Sequence, residues 1–247
     1  MALFTYVANW KMVVSYASAE RFYTEHGAAL TQLAEKKQDM LILCPSFPTL
    51  GIFKTITHAS PHFALGAQDC APFPNGPYTG DVDALSLKQI GCTYCIVGHI
   101  ERRTIHKETS ELVAQKVAQL QLQKITPIVC IGENRTEYNA KTTLEILHAQ
   151  LAPVLTVAQA TQGDLFIAYE PVWAIGAGAT SNPEEITVII QALRTHVEKI
   201  VSKSVKILYG GGVTASNITT FRAIPGLDGV LIGSASTDFN SLQKIVS

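Results

Sequence analysis

The sequence predicts an α/β fold in which helices cover a parallel sheet. Eight apolar runs of strand length recur along the 247 residues, and longer amphipathic stretches separate most of them. The runs are mostly continuous, which is typical of strands whose outer face is covered. This pattern fits a closed barrel or a doubly wound open sheet, and periodicity does not decide between the two. No linker rich in proline, glycine or serine divides the chain, so one domain spanning residues 1–247 is predicted.

The predicted strands alternate with predicted helices from one end of the chain to the other. The strands are Leu3–Ala8, Met40–Cys44, His62–Ala67, Thr93–Val97, Pro127–Ile131, Leu165–Tyr169, Val205–Tyr209 and Gly229–Ile232. Helices are predicted where apolar side chains recur at helical spacing. The clearest apolar faces are Leu112, Val113, Val117 and Leu120; Leu144, Leu147, Leu151 and Val154; and Ile186, Ile189, Leu193 and Val197.

One helix start and one long loop are marked by proline and glycine. The run Asn182-Pro183-Glu184-Glu185 predicts a helix start, with the asparagine as cap, the proline in the first turn and a glutamate three residues on. The stretch Gln68–Asp83 is the longest irregular segment and is rich in proline and glycine. A loop of that length inside a compact domain usually serves binding or assembly.

The overall charge offers little attraction to polyanions. Nineteen basic and twenty acidic residues leave a net charge of −1, so neither nucleic acid nor an anionic membrane is expected as a partner. The N-terminus shows no basic leader before an apolar core, and no run of eighteen apolar residues occurs. We therefore expect a cytoplasmic protein.

The cysteines are expected to be structural. Five of them are present, an odd number, and several have apolar neighbours. Buried thiols in a reducing compartment fit this better than a disulfide framework does. Cys92 and Cys95 have the C-x-x-C spacing, but Cys95 lies in an apolar run and no second pair completes a zinc site. No metal centre is predicted.

Three polar residues follow predicted strands, at the edge of the sheet where α/β folds place their active sites. Lys11 follows the first strand, His99 the fourth and Glu170 the sixth. Taken singly, such a lysine is more often solvated and such a histidine is more often a core residue. The glutamate is equally often the partner of an arginine. The apolar residues after Glu170 favour a partly desolvated carboxylate, which suits a base.

Two glycine-bearing turns follow the seventh and eighth predicted strands. They contain Gly210-Gly211-Gly212 and Gly233-Ser234. Bare backbone amides at the start of a helix bind anions, and barrels often hold phosphate in these two loops. Either turn alone is weak evidence, because glycine also simply closes turns. The pair Gly176 and Gly178 is not a dinucleotide fingerprint, because Ser181 stands where the third glycine belongs.

Taken together, these segments resemble the triosephosphate isomerase family along the whole chain. The matching motifs, in the family's order and spacing, are Asn9-Trp10-Lys11-Met12, Gly66-Ala67-Gln68, Tyr78-Thr79-Gly80, Gly98-His99, Glu101-Arg102-Arg103, Tyr169-Glu170-Pro171-Val172-Trp173-Ala174-Ile175-Gly176, Tyr209-Gly210-Gly211 and Asp228-Gly229. The resemblance implies a (β/α)8 TIM barrel that interconverts dihydroxyacetone phosphate and glyceraldehyde 3-phosphate through an enediolate. It implies neither a cofactor nor a metal.

The resemblance also implies a role for each polar residue. Glu170 would act as the base, and His99 would polarise the carbonyl as a neutral imidazole held so by amides of the helix that follows it. Lys11 would supply positive charge near the phosphate and the enediolate, with a hydrogen bond from Asn9. Glu101 would support Lys11. These roles belong to the family and are not deduced from the spacing.

A lid and a phosphate cradle are implied in the same way. The segment from Pro171 to Ser181 matches the family's mobile lid, with Pro171 and Trp173 in its stiff entry and Tyr209 as its latch. Closure would exclude water and protect the enediolate. The phosphate would be held by the backbone amides of Gly176, Gly212, Gly233 and Ser234.

A homodimer is implied by the long loop. Its tip, Thr79, resembles the segment that inserts into a partner subunit near Asn9 and Lys11. Arg102 and Asp81 would then pair across the interface.

The chain departs from the family at several positions. Ile100 stands beside His99 where the family usually has serine, so we expect Glu170 to lose a hydroxyl partner and to rest differently. Elsewhere Ala177 and Ala179 replace a threonine and a lysine of the lid, Gly212 replaces a serine, Ser234 a glycine and Asp69 an asparagine.

These departures leave two alternatives open. One is a related aldose–ketose isomerase that acts on a tetrulose phosphate, which a widened pocket or lid would favour. The other is a non-catalytic phosphometabolite-binding relic. Retention of Lys11, His99 and Glu170 argues against the relic, which has no need of all three.

Overall fold

Eight parallel strands close into one barrel in the order of the sequence. The computed structural model describes residues 3–36, 38–56, 60–173, 182–203 and 205–247. The strands are β1 Thr5–Asn9, β2 Met40–Cys44, β3 Phe63–Ala67, β4 Cys92–Val97, β5 Thr126–Ile131, β6 Leu165–Tyr169, β7 Val205–Tyr209 and β8 Gly229–Ile232. The predicted α/β class is confirmed, and the sheet is a closed (β/α)8 barrel and not an open sheet.

Helices connect the strands and form the outer layer. They are α1 Tyr16–Glu35, α2 Leu50–Phe53, α3 Ala84–Ile90, α4 Ile100–Ile105, α5 Ser110–Leu122, α6 Arg135–Asn139, α7 Thr143–Thr161, α8 Pro183–Glu198, α9 Ile218–Arg222 and α10 Phe239–Val246. The predicted start of α8 is confirmed. The Asn182 side chain accepts a hydrogen bond from the Glu184 amide at 3.0 Å, and Pro183 occupies the first turn.

The barrel closes where β1 pairs with β8. The register runs from Thr5 opposite Gly229 to Ala8 opposite Ile232. Closure requires a glycine at the start of β8, because a β-carbon at Gly229 would lie 2.1 Å from the Thr5 carbonyl oxygen. Since all strands are parallel, their carboxyl ends meet at one mouth of the barrel, as the sequence predicts for the functional residues.

Four strands, β1, β3, β4 and β5, differ from their predicted bounds by one or two residues. Local structure explains the starts of two of them. β1 begins at Thr5 because the Phe4 amide donates to the Asp39 side chain and not to a neighbouring strand. β4 begins at Cys92 because Gly91, with φ 110°, ends α3 directly before it.

Apolar side chains fill the barrel and the space between the sheet and the helices. The interior cluster is Val7, Ile42, Cys44, Ala64, Ile96, Ile128, Cys130, Phe166, Ala168, Leu208 and Leu231. All five cysteines are free and buried, which confirms the expectation of buried thiols. Across the described ranges, every helix is too short or too polar to cross a bilayer.

Candidate active site

The ends of β1, β4 and β6 bring three predicted residues to one mouth of the barrel. Lys11 lies two residues past β1, His99 two past β4 and Glu170 directly after β6. Glu101 contacts both Lys11 and His99, and His99 in turn contacts Glu170. The structure therefore brings together the three side chains that the sequence singles out.

Lys11 is held at both its backbone and its side chain. Its φ is 51°, and its amide donates to the Asn9 side chain at 3.0 Å. The Gln68 side chain donates to the Lys11 carbonyl at 2.7 Å and to the Cys44 carbonyl at 3.0 Å. The Lys11 ammonium lies 2.5 Å from a carboxylate oxygen of Glu101. The predicted contact of Glu101 with Lys11 is thus present, and Asn9 fixes the lysine backbone.

His99 has its two ring nitrogens in different surroundings. Its Nδ1 accepts a hydrogen bond from the Glu101 amide at 3.2 Å, at the start of α4. A nitrogen that accepts an N–H carries no proton, so the proton of the neutral ring lies on Nε2. Nε2 lies 3.3 Å from Oε1 of Glu170. This is the tautomer needed to donate from Nε2 into the mouth of the barrel.

Opposing effects act on the protonation of His99. Burial lowers the pKa of His99, and the neighbouring Glu170 carboxylate raises it by charge and by hydrogen bonding, with a net increase. Glu101 raises the pKa further, and Lys11 opposes that increase. The amide that donates to Nδ1 disfavours a second proton. The charge on the ring therefore depends on how closely Glu170 approaches it.

The Glu170 carboxylate is buried, with 2% of the residue exposed. Its Oε2 has no hydrogen-bond partner among the described residues. Glycine at position 210 gives it room, because a β-carbon there would lie 2.7 Å from Cγ of Glu170. Ile100 and Glu170 line the same narrow void, together with Gly98, Arg103, Cys130, Ile131, Gly132 and Val172.

The residues at the predicted lid entry contact a carboxylate that the sequence analysis did not single out. Glu133 is fully buried, and its Oε1 accepts from the Trp173 indole at 2.8 Å and from the Tyr169 hydroxyl at 3.2 Å. Burial raises the pKa of Glu133, although these hydrogen bonds oppose the increase. Pro171 is also buried. The position of Glu133 just after β5, like that of Glu170 after β6, was the available signal.

The sequence analysis also assigned no role to Arg103. Its guanidinium donates to the Gly98 carbonyl at 2.8 Å, to the Ser110 hydroxyl at 3.1 Å and to the Cys130 carbonyl at 3.2 Å. These contacts join the ends of β4 and β5 under the mouth. The arginine therefore fixes the turn that carries His99.

The residues predicted to bind phosphate lie at the same mouth where the structure describes them. Gly212 has φ 39° and is exposed, and Ser234 begins a short 3-10 helix after Gly233. A β-carbon at Gly233 would be 3.8 Å from Cε of Lys11, so this turn adjoins the lysine. Tyr209 is buried and packs on Phe221 at 4.7 Å. Gly176, Ala177 and Ala179 lie outside the described residues.

The predicted interface residues lie on and beside the long loop. Thr79 and Asp81 are exposed. Arg102 contacts Asp69 at 3.0 Å and Glu108 at 2.7 Å within its own chain. The buried Lys116 ammonium lies 2.6 Å from each of the same two carboxylates. The sequence analysis missed this four-residue network.

Comparisons with known proteins point in one direction. A family model described as Triosephosphate isomerase matches residues 4–247. A triosephosphate isomerase of Polynucleobacter asymbioticus is 38% identical over 237 residues, covering 93% of both chains. That of Bordetella pertussis is 37% identical over 98% of this chain and 95% of its own. That of Alkalilimnicola ehrlichii is 36% identical over 97% and 95%.

Proposed function

The chain belongs to the triosephosphate isomerase family, and we propose that it interconverts dihydroxyacetone phosphate and D-glyceraldehyde 3-phosphate through an enediolate. The observation that carries the proposal is the contact of Glu170 with Nε2 of His99 in a mouth that also holds Lys11. A carboxylate base, an N–H donor and a cation are the groups that an enediolate requires. The catalytic unit is the barrel formed by residues 1–247.

In the proposed reaction Glu170 removes the proton beside the substrate carbonyl. His99 donates from Nε2 to the carbonyl oxygen, which becomes negative as the proton leaves. Lys11 adds positive charge, and its bond to Glu101 orients it until the substrate arrives. The hydroxyl proton of the neighbouring carbon then moves to the former carbonyl oxygen through Nε2 of His99, which gives up one proton and takes up the other. Glu170 returns its own proton to the former carbonyl carbon. Because the base is buried, little water competes for it.

In this proposal the substrate phosphate binds at the turns after β7 and β8. The backbone amides of Gly212, Gly233 and Ser234 would donate to it there, and the family likeness adds the amide of Gly176. Lys11 adjoins the Gly233 turn, so one cation serves both the phosphate and the reacting carbons. Trp173 anchors the lid entry through Glu133. Pro171 would stiffen that entry, and Tyr209 would latch the lid on closure.

The assay that tests this function uses protein purified from a host that lacks its own isomerase. We expect kcat/KM for D-glyceraldehyde 3-phosphate of about 10⁷ to 10⁸ M⁻¹s⁻¹. A four-carbon phosphorylated sugar serves as the comparison substrate, with a much lower expected rate. A higher rate on the four-carbon sugar would replace the proposed substrate, and no rate on either would indicate a binding role. Neither of these alternatives is favoured by the names of the relatives.

We further propose a homodimer built on the long loop. Phe73 and Tyr78 stack at 4.4 Å on its surface and remain partly exposed. Met12 and Val13, next to Lys11, are also exposed. Exposed apolar groups of this kind mark interaction surfaces.

The five buried free thiols support a reducing compartment such as the cytoplasm for this dimer.

Replacing Thr79 by Glu is expected to convert the dimer to monomer and to lower activity at least tenfold. A charge at the loop tip would be buried without a partner in the interface. Sedimentation and rate measurements on the same samples check this. Thr195→Glu, on the exposed surface of α8, is the matched control and should change neither. Full activity in a proven Thr79→Glu monomer would overturn the proposal.

A further inference from the structure

The void beside Glu170 has an almost wholly apolar surface. It has no room for a water molecule, so a solvent hydrogen bond does not reach the carboxylate through it. Arg103 lines the void, but its guanidinium donates to Gly98, Ser110 and Cys130. The Cys130 thiol lies against the carboxylate and is only a weak donor. Ile100 contributes hydrocarbon.

A buried carboxylate oxygen without a partner is unusual, because burial of a charge normally demands hydrogen bonds. Oε1 of Glu170 has the His99 ring within 3.3 Å, whereas Oε2 has no partner among the described residues. Only one of the two oxygens of the Glu170 carboxylate therefore has a polar partner among the described residues. Its contact with His99 engages the same Nε2 proton that the proposed mechanism gives to the substrate carbonyl.

We infer that Ile100 is a positioning residue that withholds a hydrogen bond from Oε2 of Glu170 and so keeps the resting carboxylate against His99. Ile100 is the first residue of α4, directly after His99, and its half-buried side chain shares the void with Glu170. A resting base without a full set of partners leaves its position readily when substrate enters. The inference rests on the proposed function for its catalytic meaning, but the geometry stands without it.

A pair of variants at position 100 separates the hydrogen bond from the packing. Ile100→Thr and Ile100→Val have nearly the same shape and differ by a hydroxyl in place of a methyl group. The hydroxyl of Ile100→Thr can donate to Oε2 and draw the carboxylate away from His99. Ile100→Val sets the baseline for the change in volume. Ile100→Ser repeats the test if the threonine variant folds poorly.

The primary measurement is the titration of His99 by NMR, with His99→Gln used to assign its resonance among the seven histidines. The Glu170 carboxylate raises the pKa of His99 against the effect of burial. The His99 midpoint should therefore move to lower pH in Ile100→Thr and stay at the wild-type value in Ile100→Val. Identical titrations in both variants would overturn the inference.

Kinetics give a second readout. A hydrogen bond made by the resting enzyme and broken in the transition state lowers kcat/KM, so Ile100→Thr should be about two- to tenfold slower than Ile100→Val. Equal values would also count against the inference. If wild-type protein shows no isomerase activity, the proposed function fails, and the His99 titration still decides the role of Ile100.

Discussion

Replacing Glu170 by Gln is expected to lower kcat by about 10² to 10⁴, the range that a positioned general base contributes. The substitution keeps the volume of a side chain that is almost fully buried and removes its ability to accept a proton. Its amide can still contact His99. A loss of this size in kcat, with a much smaller change in KM, would indicate that the carboxylate acts mainly in the transition state.

Glu101→Gln is the graded comparison for this experiment. Glu101 contacts Lys11 and Nδ1 of His99, whereas the proposed proton transfers occur at Glu170 and Nε2, so a smaller loss of about tenfold is expected. Circular dichroism of both variants excludes unfolding as the cause. A Glu170→Gln enzyme that retains a tenth or more of the wild-type kcat would assign the base to another residue.

Replacing Lys116 by Met is expected to lower the free energy of unfolding by about 3 to 5 kcal/mol. The ammonium is buried and lies 2.6 Å from both Asp69 and Glu108. Its removal leaves two buried carboxylates with Arg102 as the remaining cation of the network. Urea unfolding of the purified protein measures the change.

Lys203→Met is the matched control for Lys116→Met. Lys203 lies 3.7 Å from Asp164, and both side chains are about half exposed or more. Such a surface pair contributes about 0 to 1 kcal/mol. Equal losses in the two lysine variants would show that burial of the network adds nothing to its strength.

The network also carries a pH dependence. Burial raises the pKa of Glu108, but hydrogen bonds and charge from Lys116 and Arg102 lower it by more, with a net decrease. A group whose pKa is depressed by folding stabilises the fold above its unfolded pKa, about 4.3, and loses that contribution as the pH falls. Asp69 acts in the opposite direction, because burial raises its pKa. Unfolding curves at pH 3 to 7 should therefore show the Lys116→Met deficit shrinking toward acid.

Local patterns in the sequence were sufficient to locate the strands, whereas the proposed base was identified only with the help of the family resemblance. The runs that became β2, β6, β7 and β8 have the predicted bounds, because each is a mostly apolar segment limited by polar residues, proline or glycine. Lys11, His99 and Glu170 stood out as polar residues that follow buried strands, but each had an ordinary structural explanation when taken singly, and their roles came from the family resemblance. Closure of the barrel was not predictable from periodicity, since it depends on pairing between β1 and β8 at opposite ends of the chain.

Side-chain contacts between segments far apart in the sequence were not predicted. Lys116 belongs to an amphipathic helix in which a lysine ordinarily faces solvent, and its partner Asp69 lies 47 residues away. The unpartnered oxygen of Glu170 follows from the packing of three separate turns around it. The family likeness pointed to Ile100 as a departure, but only the geometry of the void shows what the hydrocarbon does there.

At Lys11 the need for a cation in the proposed reaction conflicts with the stability of the fold, because the backbone there is left-handed. A residue other than glycine pays about 1 to 2 kcal/mol for this conformation, and Asn9 and Gln68 hold it in place. Glycine adopts the same conformation without that strain but supplies no cation. Directed evolution for heat resistance alone would therefore favour glycine at position 11 and lose the cation. A library screened for both heat resistance and isomerase activity would keep Lys11 and acquire stabilising substitutions elsewhere.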